Sequence, residues 1–188
     1  KRTFLRMMEP DALPREFLEA VRKIKMHGAA MKVNCALSEL PRWTAAPETP
    51  GPHHHGSTYI GPSIEYTEAA FADAKRGRPS EQPWMEVVTQ SVLDPTVAPA
   101  GKHTLSIYVQ YSPYHLAAGT WDEIREPYGD RVIETLADYA PNLPKSVVAR
   151  QVLTPLDLER RFGLTEPHQS HGEMGPDQTI LVYLFVLS

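Results

Sequence analysis

Apolar residues recur at two periods along this chain, and each change of period marks an element. Phe17, Leu18, Val21 and Ile24 fall at helical spacing behind Leu13-Pro14, which predicts an amphipathic helix ending near His27-Gly28, with Pro14 in its first turn and Asp11 as a cap. Met31, Val33, Cys35 and Leu37 then alternate with Lys32, Asn34, Ala36 and Ser38, the period-2 pattern of a half-buried strand that stops by Pro41. Ala45 to Gly56 is built of Pro, Gly, Thr and His without an apolar period and is expected as a long exposed loop. A short strand follows at Ser57 to Gly61, and Ser63 opens a helix through Ala74 that Gly77 and Pro79 stop.

Two further alternating stretches, Met85 to Leu93 and His103 to Tyr111, are expected as neighbouring strands. The second places Leu105, Ile107 and Val109 on one face and Thr104, Tyr108 and Gln110 on the other, so it is expected as the central strand, with Ile107 in the core and Tyr108 in a pocket wall. Trp121 to Tyr139 carries a helical stripe of Val132, Ile133, Leu136 and Tyr139, with possible breaks at Pro127 and Gly129. Ser146 to Leu153 predicts a strand, Pro155 to Phe162 a helix capped by Gly163, and Thr179 to Leu187 a last strand. Strands interleaved irregularly with helices imply an α+β domain over residues 1–188, with a largely antiparallel sheet and flanking helices.

Composition narrows the function. A net charge of -4 over 188 residues leaves no broad basic field, which argues against nucleic acid as a partner. The single cysteine, Cys35, excludes an intrachain disulfide and any cysteine-rich metal site, which fits a reducing compartment such as the cytoplasm or the mitochondrial matrix. The longest apolar run, Ile180 to Leu187, is too short for a transmembrane segment. No two glycines stand two apart, and no glycine lies five before Gly101-Lys102, so neither a dinucleotide fingerprint nor a phosphate loop is present.

The candidate chemistry is sparse. His53, His54 and His55 are good ligand types, but three consecutive residues of an extended loop point in different directions, and no metal site is expected there. His171 and Glu173 could serve as a general acid and base, although a polar turn explains them as well. Tyr108, Tyr111, Tyr114 and His115 crowd the end of the clearest strand and are the candidate substrate pocket. Packing between strands accounts for the same residues.

Longer runs carry a resemblance. Pro99-Ala100-Gly101-Lys102-His103, Val109-Gln110-Tyr111-Ser112-Pro113-Tyr114, Trp121-Asp122-Glu123 and Leu153-Thr154-Pro155-Leu156-Asp157-Leu158-Glu159-Arg160, with Lys32-Val33-Asn34 and Ser91-Val92-Leu93-Asp94-Pro95 before them, resemble the middle part of the phytoene-dehydrogenase-like FAD-dependent oxidoreductases. The resemblance implies the substrate-binding or cap region of such a flavoprotein, facing an apolar small molecule, with the chemistry on FAD. FAD is not expected to be held by this chain alone, because the glycine fingerprint is absent. The implied partner is a missing FAD-binding domain or a second copy of the chain. A non-catalytic binding or scaffold module built on the same fold is the alternative.

Overall fold

The computed structural model describes residues 1–26, 30–46, 48–168, 171–173, 175, 176 and 178. The predicted strand at 179–187 and the predicted helix end at His27-Gly28 lie outside the described residues.

Five strands form one antiparallel sheet: β1 (Met31–Leu37), β2 (Ser57–Ile60), β3 (Trp84–Val88), β4 (His103–Gln110) and β5 (Val147–Leu153). They lie side by side in the order β2-β3-β4-β1-β5, so β4 is central. Helices α1 (Arg15–Lys23), α2 (Ile64–Lys75), α3 (Gln90–Leu93), α4 (Trp121–Ala137), α5 (Leu143–Ser146) and α6 (Pro155–Phe162) complete the α+β fold.

The period-2 alternation decides which way the sheet faces. Met31, Val33, Cys35 and Leu37 of β1, Met85 and Val87 of β3, and Leu105, Ile107 and Val109 of β4 share one face and are buried to 3% exposure or less. Trp121, Tyr128, Val132, Ile133 and Leu136 of α4 join them in one core. Burying each such side chain stabilises the fold by about 1.5–3 kcal/mol before entropy is counted. Gly129 sits where α4 meets β5, since a Cβ there would come within 2.7 Å of Val152 Cγ2.

Local chemistry sets the ends of the helices. Thr120 and Glu123 cap α4 reciprocally, as Thr154 and Asp157 cap α6, and Ser63 accepts from the Tyr66 N–H at the start of α2. Gly163 ends α6 with a φ of 65°, a left-handed turn that costs glycine nothing.

Four expectations need correction. Helix α4 runs unbroken through Pro127 and Gly129, because Pro127 lies on the exposed side where water can take the hydrogen bond it forfeits. Asp11 does not cap α1; it belongs to a separate turn at Pro10–Ala12, and Pro14 stands at the N-cap without a side-chain bond. The alternation at Met85 to Leu93 is strand only to Val88, since the chain turns at Thr89 into the short helix α3, whose buried Ser91 accepts from the Thr104 N–H at 3.1 Å.

The fourth concerns the histidine loop. Pro52–His55 forms a short helical turn in which His54 is 1% exposed. Its Nδ1 accepts from the Gly51 N–H at 3.2 Å, which leaves Nε2 to donate to the Pro41 carbonyl at 2.8 Å. His54 therefore clasps the segment after β1 to the segment before β2.

Candidate functional site

The second face of the sheet is the candidate site, and strand register assembles it. Tyr59, Glu86, Tyr108, Lys32 and Leu153 are successive cross-strand partners and form one row over all five strands. Val88, Ser106, Asn34 and Gln151 form the adjacent row over β3, β4, β1 and β5. Most of these residues are half-buried, where their neighbours on the first face are sealed.

Much of this face is hydrogen-bonded within itself. Ser106 Oγ donates to Asn34 Oδ1 at 3.2 Å, and Asn34 Nδ2 to Gln151 Oε1 at 3.4 Å. Glu86 Oε1 accepts from Ser57 Oγ at 2.7 Å and from the Tyr59 hydroxyl at 3.4 Å. Trp84 stacks beside Tyr59 with ring centroids 5.6 Å apart, which adds an apolar aromatic patch. The Tyr108 hydroxyl is different: it is shut off from water and has no partner among the described residues. Burial pushes its pKa far above the ordinary tyrosine range, with the Tyr111 and Glu86 charges adding to the effect.

The sequence-predicted pocket residues do not all converge. Tyr108 stands in the middle of the open face, within electrostatic reach of Tyr111. Tyr111 packs on Phe71 of α2 at 5.0 Å, and its carbonyl accepts from the Ser80 N–H at 3.3 Å. Tyr114 turns to α6, where its hydroxyl donates to Glu159 Oε2 and that bond raises its pKa to about 12. His115 is exposed and meets Tyr114 edge-on. Of the four, only Tyr108 lies in the cross-strand row, between Glu86 and Lys32.

His171 and Glu173 follow α6 in the chain and are held elsewhere, against the segment that follows α1. The Glu173 N–H donates to the Lys25 carbonyl at 3.0 Å, and a Cβ on Gly172 would come within 2.8 Å of Ile24 Cγ2. His171 also lines a recess of about 540 Å³ with Arg2, Met7, Arg160 and Phe162. Cys35 lies in the core, where burial raises its thiol pKa to about 11, against the opposing pull of Arg150; a thiol kept protonated is no nucleophile. Among the described residues no group of three or more His, Cys, Asp or Glu could hold a metal ion, and no helix is long and apolar enough to cross a membrane.

Sequence reasoning missed Tyr59, Trp84, Glu86 and Lys32 as members of one surface. Each alternates correctly within its own strand, but only the pairing of distant strands brings them together.

No protein-family model matches the chain. It is 41% identical over 183 residues to the pyridine nucleotide-disulfide oxidoreductase domain-containing protein 2 of Rattus norvegicus, and 40% identical to that of Mus musculus. The chain is homologous to a segment of these proteins. The alignment covers 94% of this chain but 32% of each relative, so the chain spans about a third of their length. A limonene dehydrogenase polypeptide of Castellaniella defragrans is 34% identical over 74 residues, 37% of this chain and 14% of that protein. These similarities support an oxidoreductase-related domain.

Proposed function

We propose that residues 1–188 form a single substrate-binding unit of an FAD-dependent oxidoreductase, in which the open sheet face is the wall against which an apolar small molecule lies. The observation that carries this reading is the contrast between the faces. A sheet face that served only as a core would not carry Tyr59, Glu86, Tyr108 and Lys32 in one row over β2, β3, β4 and β1. Similarity to oxidoreductases three times as long supports the reading, and the name of the Castellaniella relative supports a terpene as the class of apolar molecule.

The described residues do not fit FAD itself. Its pyrophosphate needs free backbone N–H groups at a glycine-rich helix N-terminus, whereas the starts of α2, α4 and α6 are already capped by Ser63, Thr120 and Thr154, and the uncapped start of α1 at Pro14 has no glycine beside it. Under this proposal the flavin is held by a different portion of polypeptide, and residues of this chain bind and orient the substrate and exclude water.

Trp84 provides the test, because it is on the open face while Trp43 and Trp121 are in the core. Limonene titrated into the chain is expected to change the Trp84 emission saturably, and Trp84→Phe to abolish the change. FAD added to the same chain is expected to elute separately on gel filtration. A limonene titration without response, or flavin retained by the chain alone, contradicts the proposal.

A further inference from the structure

We propose that Lys32 and Tyr108 form a subsite for an anionic oxygen, a carboxylate or similar oxyanion, borne by an otherwise apolar molecule. The inference rests on the open face being a binding wall and names the polar feature of what binds there.

Lys32 and Tyr108 are direct partners in the β1–β4 register, so their side chains leave the same face side by side, with Cβ atoms about 5 Å apart. Tyr108 Oη is buried and without a partner among the described residues. An O–H donor left unsatisfied in this way calls for an acceptor that the described residues do not supply. Lys32 is half-buried, and among the described residues its ammonium has neither an ion pair nor a hydrogen bond. The polar groups around them are occupied: Asn34 by Ser106 and Gln151, and Glu86 by Ser57 and Tyr59. Both partners of Glu86 stand on β2, on the side away from Lys32.

Two unspent donors side by side, one of them a fixed cation, select an acceptor that carries negative charge. Their surroundings select the rest of the molecule, since the half-buried Trp84 and Val88 flank the row on β3. Thr104 Oγ1 is also buried without a partner on this face, but four residues along β4 it is about 13 Å away, too far to share one carboxylate.

Limonene and perillic acid share a carbon skeleton and differ by a carboxylate, so their titration followed by Trp84 emission separates the subsite from the wall. Perillate is expected to bind about tenfold more tightly than limonene, the range of one charge-assisted contact. Lys32→Met should remove that advantage and leave limonene unchanged, Lys32→Arg should restore most of it, and Tyr108→Phe should weaken perillate alone. Unchanged circular dichroism and melting temperature identify variants that fold. Equal affinity for the two ligands, or perillate binding that Lys32→Met leaves intact, overturns the subsite while the wall stands. Inorganic phosphate that competes with perillate as strongly as perillate itself overturns the apolar body of the ligand. Failure of both terpenes to bind defeats the wall, and the subsite with it.

Discussion

The two faces of this sheet are made by the same strands, yet they follow different rules. On the first, Val33, Leu37, Met85, Ile107 and Val109 are wholly excluded from water and meet α4. On the second, immediate sequence neighbours such as Lys32, Glu86 and Tyr108 are half-buried, polar and in part unpartnered. A single residue step along β4, from Ile107 to Tyr108, crosses from one regime to the other. The lesson is that the apolar face accounts for the fold, while the proposed function rests on the other face, where the Tyr108 hydroxyl is left without a partner among the described residues.

The largest effect that can break this comparison is loss of core volume. Ile107→Ala should destabilise the chain by roughly 2 to 5 kcal/mol, as lost transfer energy and an unfilled cavity combine. Urea unfolding measures it, and a midpoint like that of the unmutated chain would move the sheet's buried face elsewhere.

His54 sharpens the boundary between core and loop. Because both ring nitrogens are hydrogen-bonded in a buried site, His54→Ala should cost roughly 2 to 3 kcal/mol. His55→Ala, at an exposed neighbour, should stay within about 0.5 kcal/mol. Equal melting temperatures for the two variants would return the whole segment to the exposed loop that its composition suggests.

Acid should act on the same end of the sheet. Burial, then the nearby His54, holds the His103 pKa below its ordinary 6.5, and burial leads the same shift at His53. A histidine with a depressed folded pKa contributes stability that is present above the unfolded value and is lost as pH falls below it. The urea midpoint should therefore drop between pH 7.5 and pH 5, and His103→Gln should flatten that slope. A midpoint unaffected by acid in this range would show that these rings are not held neutral.

The smallest effect belongs to the second face. Tyr108→Phe removes a hydroxyl that bonds to nothing in the described residues, so stability should change by no more than about 0.5 kcal/mol. A loss of about 2 kcal/mol or more would reveal a structural partner for that hydroxyl and erase the contrast with Ile107.

Much of the fold could be read from the chain because it depends on local period. β1 begins at Met31 and ends at Leu37, where the alternation places it, and Ser63 and Gly163 bound their helices as their chemistry requires. What escaped depends on distance in sequence. Nothing near His54 shows that the Pro41 carbonyl will arrive at its Nε2, and nothing near Lys32 shows that Tyr108 will lie beside it across 76 positions. Tyr111, Tyr114 and His115 are close in sequence, which suggests one pocket, but the turn after β4 distributes them to α2, α6 and solvent. The relation between Tyr108 and its candidate ligand contacts becomes visible only with the register.

The most direct test of the two-face account is a map of side-chain chemical-shift changes in the isotope-labelled chain as limonene is added. The changes should concentrate at Lys32, Asn34, Glu86, Ser106 and Tyr108, while Val33, Leu105 and Ile107 and the helix α4 beneath them stay still. Shifts spread equally over both faces, or confined to α4 and its side of the sheet, would contradict the account.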